Sequence, residues 1–438
     1  MLKRINLFRI LLALAAGWML FFYVNYGARA WFFSDDYSFL ERYQHSSYLS
    51  LGFDFENFGR PLTRNIYWYV GQQIFGRHAI LFFYFNLLTI VCSSLFGYSI
   101  FKKFVRPDLA MMGAFAYFAS QPVIHTYVWL SNSQHSIGHL IVLVYILFYL
   151  QATAKPLCFR DVGLLLSLYL LGLTANIFVG LVVGLPLFML LFRPSLRRDP
   201  RHLLLCAATV AMFIFYWLSL RGSASGAYEV KLGLGTLRTN AEFYFGSVWV
   251  LALLVACCLY GAGVHLRRGA LLASWLFLAA LAFYVPFAFL VYQRYAQYIA
   301  LSAVFFVWGA LIHIETYLGN YAKRTALLIV VALLATDMVT LDYFRAHPWG
   351  SDQRAQVEQL AAFDRTQTKR DMNYCFFTPA HKNSSGLAIW DIPPEWWFVG
   401  FGKAFTVFVN PTANYQYGDQ PRACDVKFFI EADKLNRK

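Results

Sequence analysis

The sequence predicts an all-α polytopic membrane protein of about eleven transmembrane helices with a small soluble C-terminal domain. The first observation is composition. The chain has 438 residues, of which 59% are hydrophobic and 14% are charged, whereas soluble domains usually carry about 25% charged residues. So few charges cannot cover a soluble surface, and most of the chain must therefore face lipid. The second observation is that the apolar residues form runs of helix length between short polar gaps.

The apolar runs set the position of each predicted helix, because about 20 helical residues cross a hydrocarbon core of about 30 Å. The run 10–26 follows Lys3 and Arg4 and is long for the apolar region of a signal peptide, which favours a retained first helix. Residues 161–175 and 177–192 are short, and a re-entrant pair is the alternative for them. The predicted spans are 5–26, 79–101, 108–123, 136–153, 161–175, 177–192, 202–220, 243–265, 270–290, 296–314 and 325–345.

Basic residues predict the orientation of these spans. The net charge is +14, but the charges are dispersed in small groups between apolar runs, which excludes a nucleic-acid-binding face. They gather in alternate gaps, as they do when Lys and Arg mark cytoplasmic loops. We therefore expect a multi-pass protein of a bacterial inner or plasma membrane with its N-terminus in the cytoplasm. The basic groups are Lys3/Arg4, Lys102/Lys103/Arg106, Lys155/Arg160, Arg193/Arg197/Arg198/Arg201, Arg267/Arg268 and Lys323/Arg324.

The tail, 347–438, contains no spanning segment and lies outside in this topology, after a transmembrane domain over 1–346. It contains Cys375 and Cys424, which would pair if the outer compartment is oxidising. A disulfide would then staple a small domain.

An acidic pair, Asp35 and Asp36, lies just beyond the first helix, at the start of the largest predicted outer loop, 27–78. Aromatic residues surround the pair, and partial desolvation raises the pKa of a carboxylate, which makes it a better general base. The same pair has oxygen ligands for a divalent metal, the one cofactor that the sequence suggests. The alternative is structural: Ser34, Asp35 and Asp36 would cap an amphipathic helix that starts near Tyr37.

The order of several motifs resembles the GT-C superfamily of membrane glycosyltransferases, in particular the tetratricopeptide-containing O-mannosyltransferase branch without its repeats. That family has an acidic pair in its first outer loop. Tyr127 stands where the branch has a Glu, Ala175-Asn176 where it has Lys-Glu, and Gln293 where it has another Glu. The similar segments are Gly59-Arg60-Pro61-Leu62-Thr63-Arg64, Ile74-Phe75-Gly76-Arg77, Phe85-Asn86-Leu87-Leu88, Gln121-Pro122-Val123-Ile124-His125-Thr126-Tyr127-Val128-Trp129, Leu173-Thr174-Ala175-Asn176 and Gln293-Arg294-Tyr295.

The resemblance implies a donor in which a sugar is linked to a polyprenyl phosphate, and an acceptor hydroxyl on a saccharide, lipid or protein. Asp35 or Asp36 would be the general base, and transfer would invert the anomeric carbon. Arg294 is expected to bind the donor phosphate, because its planar fork suits phosphate; a snorkelling interfacial arginine is the alternative. Further candidates for the phosphate are Arg60, His125 and His135, and Tyr37, Trp129 and Tyr295 are expected to line the substrate site.

Two other functions stay open at this point. A transporter or flippase of a lipid-linked saccharide would need repeats and polar groups along the membrane midplane, and Asp337 lies inside the last apolar run. A non-catalytic, lipid-binding relative would account for Tyr127 and Gln293, where the resembling family has acids.

Overall fold

A computed structural model describes residues 7–33, 35–44, 60–219, 230–291, 294–367, 373–377, 407–409, 414–417, 424–431 and 434–437. Within these residues the chain is mostly helical. Ser34, Gly59 and Gln293, which belong to the motifs above, lie outside the described residues, as do residues 1–6 and much of the tail.

Eight of the described helical segments are long and apolar enough to cross a membrane. The chain is therefore a multi-pass α-helical membrane protein. The eight segments are Arg9–Arg29 in α1 (Leu7–Arg29), Ala79–Phe101 (α4), Leu130–Ala152 containing α7 (Ser133–Ala152), Pro200–Ser219 (α11), Val248–Arg267 (α13), Leu271–Ala288 (α14), Ala296–Leu318 containing α15 (Ala300–Leu318) and Ala322–Ala346 (α16).

Three of the predicted spans fall on shorter helices. They are α5 (Pro107–Ala119), α8 (Phe159–Ala175), and a 3-10 segment, Ile177–Val183, that continues into α9 (Gly184–Phe192). Asn176 caps the start of the 3-10 segment, because its side-chain oxygen accepts a hydrogen bond from the Phe178 backbone N–H (3.1 Å). The other helices are α2 (Asp35–Gln44), a π-helical turn (Pro61–Ile66) before α3 (Tyr67–Phe75), α6 (Gln121–Tyr127), α10 (Pro194–Arg197), α12 (Leu234–Phe245) and α17 (Ser351–Asp364).

Charged residues join the helix ends at one side of the bundle, here called the basic end. Asp108, at the start of α5, accepts a hydrogen bond from Arg9 of α1 (3.0 Å) and forms an ion pair with Lys323 of α16. Arg106 pairs with Glu315 near the end of α15 (2.9 Å). The starts of α1, α5 and α16 and the ends of α4 and α15 therefore lie at the same side.

The opposite side, here called the Asp-pair end, begins where α1 stops. The Trp31 backbone N–H donates to the Trp349 carbonyl (3.0 Å), and the Trp349 N–H donates to the Tyr26 hydroxyl (3.1 Å). The end of α1 and the segment after α16 are therefore neighbours. The acidic pair follows directly after this contact.

Small residues allow close helix packing in the core of the bundle. The Trp308 indole of α15 donates to the Gly113 carbonyl of α5 (3.0 Å), and a Cβ at Gly97 of α4 would lie 2.8 Å from the same indole. A larger residue at Gly97 would displace Trp308, as expected where small residues let membrane helices approach.

The described parts of the tail form a small α/β unit. After α17, four strands make one sheet in the order β2-β1-β3-β4, with β1 parallel to β2 and β3, and with β4 antiparallel to β3. A disulfide joins Cys375 of β1 to Cys424, with Cα atoms 5.6 Å apart. The strands are β1 (Asn373–Phe377), β2 (Asn414–Tyr417), β3 (Val426–Glu431) and β4 (Lys434–Arg437).

The tail also contacts the first loop at the Asp-pair end. The Phe408 ring lies 5.5 Å from the Trp31 ring, 5.8 Å from Phe32 and 6.2 Å from Tyr37, between centroids. The Arg77 guanidinium also lies over the Phe408 ring, 5.7 Å from its centre. The tail thus packs against the residues on both sides of the acidic pair.

Candidate active site

Asp36 is held in place by hydrogen bonds from two segments. The Phe33 N–H donates to its Oδ2 (2.9 Å), which closes the first turn of α2. The Ser131 N–H donates to Oδ1 (2.9 Å), and the Ser131 hydroxyl donates to the same oxygen. Asp36 is 1% exposed. Both of its oxygens are therefore engaged, and the carboxyl group ties α2 to the segment before α7.

Burial dominates the ionisation of this carboxyl group. Desolvation raises the pKa of Asp36 to about 8, although the hydrogen bonds from Ser131 and Phe33 act to lower it and the neighbouring charge of Asp35 raises it further. A carboxyl group in this setting is a poor base at neutral pH, because a large fraction already carries a proton.

Asp35 is the first residue of α2 and is partly exposed, unlike its neighbour. The helix N-terminus favours its negative charge. The structural and catalytic interpretations of the pair therefore apply to different residues: Asp36 has the buried capping contact, and Asp35 has the access to solvent that a general base for a water-borne acceptor needs.

An aromatic wall connects the acidic pair to the interior of the bundle. The Trp129 indole donates to the Phe33 carbonyl (3.3 Å), and its ring lies 6.1 Å from the Tyr295 ring. Tyr295 lies 5.3 Å from Tyr298, which lies 5.4 Å from the ring of His135. The predicted lining residues Trp129 and Tyr295 are therefore part of one continuous surface. Tyr37 is fully buried and lies on the other side, against the tail.

A small cavity of about 20 Å³, lined by both polar and apolar side chains, lies where this wall ends, among α7, the 3-10 segment, α14 and α15. His135 and His139 are four residues apart on α7 and share one face. The Asn176 amide lies 3.5 Å from His135 Nδ1, and the Tyr117 hydroxyl lies 3.3 Å from His139 Nδ1. The residues that line the cavity are Gln134, His135, Gly138, His139, Asn176, Phe178, Val179, Phe283, Phe287, Tyr298 and Leu301.

Arg60 adds a buried cation next to this cavity. It is 6% exposed, and its guanidinium donates to the side-chain oxygen of Gln134, which lines the cavity. The π-helical turn after Arg60 is fixed to the bundle, because the Thr63 hydroxyl donates to the Ala175 carbonyl (2.7 Å). A buried arginine is costly unless it has a polar partner, and Gln134 is such a partner for Arg60.

Arg294 lies at the same end but has a different partner. Its Nε donates to Asn240 Oδ1 (2.6 Å), and a terminal nitrogen donates to the Val291 carbonyl (2.9 Å). Asn240 Nδ2 in turn donates to the carbonyls of Phe287, Ala288 and Leu290, at 2.8–3.1 Å. Arg294 is thus held by α12 and by the end of α14.

His125 lies apart from the cavity. It is on α6 and 4% exposed, and its ring is 5.2 Å from the Phe344 ring. Burial lowers its pKa to about 4, so the ring is neutral at pH 7. A neutral ring packed against α16 provides no charge for a phosphate.

The structure adds residues that the sequence interpretation did not select: Ser131, Gln134, His139 and Asn240. A signal for two of them, Ser131 and Gln134, was present, because they belong to a polar run, Ser131-Asn132-Ser133-Gln134-His135-Ser136, that leads into an apolar helix of the bundle. No sequence signal pointed to Asn240, because its hydrogen bonds are to the end of α14, which is distant in sequence. Among the described residues there is no group of three or more His, Cys, Asp or Glu that would hold a metal ion.

No family model matches the chain, and no curated protein sequence matches it.

Proposed function

We propose that this protein is a GT-C-type membrane glycosyltransferase that moves a sugar from a polyprenyl-phosphate donor to an acceptor hydroxyl. The observation that carries the proposal is the junction at the Asp-pair end. A partly exposed carboxylate, Asp35, lies beside a buried one, and an aromatic wall runs from there to a small cavity, inside an apolar bundle, that His135, His139 and Asn176 help to line. The motif order supports the same family, as a resemblance. A lipid-linked sugar needs both environments, since its chain is apolar and its reacting end is polar.

The donor phosphate would bind near Arg60, Gln134 and His135. Arg60 supplies a charged fork at a depth where water is scarce, which strengthens its attraction for phosphate. His135 and Asn176 supply further polar atoms to the lining of the cavity. Arg294 is a further donor-side candidate at the same end of the bundle, held by Asn240.

The reaction would be a single displacement. Asp35 takes the proton of the acceptor hydroxyl as that oxygen bonds to the anomeric carbon, and the bond from the anomeric carbon to the phosphate oxygen breaks. The polyprenyl phosphate leaves with the electron pair, and its charge is stabilised by Arg60 and by neighbouring hydrogen-bond donors. Asp36 positions Asp35 by fixing the first turn of α2 against Ser131. Displacement from one side inverts the anomeric carbon.

The proposed topology puts the basic end in the cytoplasm. Arg9, Arg106 and Lys323 meet there, and cytoplasmic loops are enriched in Lys and Arg. If α5, α8 and Ile177–Phe192 also cross the membrane, about eleven crossings place the Asp-pair end and the tail outside. The tail would then be an extracytoplasmic domain.

Two alternatives are tested by the same experiment. The transporter alternative is favoured by Asp337, a carboxylate of α16 that is 1% exposed. The non-catalytic alternative is favoured by Tyr127, which is buried where the resembling family has an acid.

The test compares two aspartate substitutions at one side of the bundle. Cells with and without the protein are analysed for cell-surface glycans and glycoproteins by mass spectrometry, and then cells carrying D35N or the control D342N. Asp342 is exposed and pairs with Arg345 on α16. We expect a protein-dependent glycan that D35N removes and D342N keeps.

Purified protein in proteoliposomes then gives the size of the effect. Loss of a general base lowers turnover by about 10²–10⁴-fold. A glycan that depends on the protein but not on Asp35 would contradict the assignment of the base. Movement of a lipid-linked saccharide across the membrane without transfer would favour the transporter.

A further inference from the structure

We propose a second binding site, for the headgroup of an anionic phospholipid, at the basic end between α13 and α15. The site consists of Arg268, His313 and Tyr317, with His265 behind them. It is independent of the proposed glycosyltransferase activity, whose residues lie at the other end of the bundle.

Two histidines form the back of this site. His265 Nε2 and His313 Nδ1 are 3.3 Å apart. His265 is fully buried in α13, whereas His313 is partly exposed. Because Nδ1 of His313 faces His265, Nε2 is the remaining hydrogen-bonding atom of the exposed ring. This contact with the buried His265 ring fixes the orientation of the partly exposed His313 ring.

An arginine is held over this ring system. The Arg268 guanidinium lies 4.1 Å from the centre of the Tyr317 ring, and the His313 and Tyr317 rings are 4.5 Å apart. Arg268 caps α13, and Gly269 follows it with φ +73°, which turns the chain directly into α14. The stacked guanidinium keeps its donors in the plane of the fork, which suits two oxygens of a phosphate.

The surroundings favour a lipid as the source of the phosphate. Tyr317 is 41% exposed and lies in the last turn of α15, which is long and apolar enough to span the membrane. Such tyrosines lie at the level of the headgroups. Glu315, the acidic residue of this part of α15, pairs with Arg106. Basic sites between helices at the cytoplasmic side bind anionic headgroups in other membrane proteins.

The test uses the full chain in detergent and native mass spectrometry to count bound lipid. Phosphatidylglycerol and phosphatidylcholine of equal chain length are titrated. The key variant is R268Q, and R267Q is the matched control. Arg267 has the same charge one residue away and is exposed, but no ring stacking is found for it among the described residues.

We expect the wild type to bind phosphatidylglycerol in preference to phosphatidylcholine. R268Q should bind phosphatidylglycerol roughly tenfold more weakly, as for the loss of a hydrogen bond to a charged group, and R267Q should change the affinity by less than about threefold, as for a nearby surface charge. H313L tests the imidazole and should also weaken binding. The midpoint of thermal unfolding without lipid separates misfolded variants from binding variants.

Three results would overturn the site. Equal losses in R267Q and R268Q would mean that only the overall positive charge attracts the lipid. Equal binding of the two lipids by the wild type would mean that the site does not select anionic headgroups. If inorganic phosphate at millimolar concentration competes fully with phosphatidylglycerol, the ligand is a free anion rather than a lipid.

Discussion

Replacement of Asp36 by Asn separates the two effects that act on this buried carboxyl group. The three donors on Asp36 stabilise its oxygens, whereas burial disfavours its charge. In D36N the remaining carbonyl oxygen can still accept from Ser131, but the new amide faces the Phe33 N–H, which loses its acceptor. A buried donor without a partner costs about 1–3 kcal/mol. We therefore expect D36N to be less stable than the wild type at pH 5.

The pH dependence of this difference has a definite sign. The pKa of Asp36 is raised in the folded protein to about 8 from its usual value of 3.8. Between these values the folded state binds the proton and the unfolded state does not. The contribution of protonated Asp36 to stability is therefore complete below pH 3.8 and is lost as pH rises towards 8, by at most about 1.4 kcal/mol per pH unit. D36N does not titrate, so its deficit should shrink between pH 5 and pH 7.

The assay is the fraction of protein that stays monodisperse after heating in detergent, measured at pH 5, 6 and 7 for the wild type, D36N and D342N. The control residue Asp342 is 70% exposed in its side chain and should show no such trend. A deficit of D36N that stays constant between pH 5 and pH 7 would refute the reasoning, because it would mean that Asp36 is already ionised at pH 5 in the folded state as well as in the unfolded state.

The remaining predictions concern the donor site, the topology and the tail. R60K keeps the charge but loses the fork and should raise the donor KM roughly tenfold or more. The control R64K, on the π-helical turn that follows Arg60, should leave the KM unchanged; equal effects would remove Arg60 from the site. R294K should weaken donor use and R294A should weaken it more, measured by donor saturation per folded protein; wild-type kinetics for R294A would favour a purely structural arginine. A reporter at the C-terminus should be active outside the cytoplasm and one after Lys103 inside; a cytoplasmic C-terminus would mean that an odd number of the three shorter helices fails to cross. Cys375 and Cys424 should resist alkylation in unreduced, denatured protein; labelling of both would rule out the disulfide.

The membrane fold was predictable because the hydrocarbon core imposes one length on every span. Each described long apolar helix overlaps a predicted span and differs from it at the ends, whereas some predicted spans are divided. The predicted span 108–123, for example, is divided in the structure: α5 ends at Ala119, Ser120 is extended, and α6 begins at Gln121. Pro122 in the first turn of α6 fits this break.

The sequence did not predict helix α12 or the sheet of the tail, because the length of the hydrocarbon core does not determine either of them. Helix α12 precedes α13, where the sequence predicts one span, 243–265, and Gly246 with φ +74° separates the two helices. The sheet of the tail depends on pairing between strands that are distant in sequence, such as β1 with β3. Local patterns do not determine such pairs, because they are fixed by packing and register.

The same distinction applies to the site. The acidic pair was visible because two carboxylates beside a membrane helix are unusual. Which of the two is buried was not visible, because it depends on Ser131, 95 residues further along the chain. The neighbourhood of Arg60 likewise depends on Gln134, 74 residues away. Sequence motifs identify candidate site residues, but only the folded structure shows which partner each residue contacts and whether it is exposed to water.

The position of Tyr127 bears on whether the missing acids weaken the proposed catalysis. The Tyr127 hydroxyl donates to the Tyr23 carbonyl (2.5 Å), and its ring lies 4.6 Å from the Tyr23 ring, inside the bundle between α1 and α6. Ser131, four residues later, is the residue that contacts Asp36. The side chain at position 127 therefore points towards α1, and an acid there would meet a backbone carbonyl. The proposed general base does not need an acid at this position: a single carboxylate, held at a helix N-terminus by a buried neighbour, is enough to accept one proton.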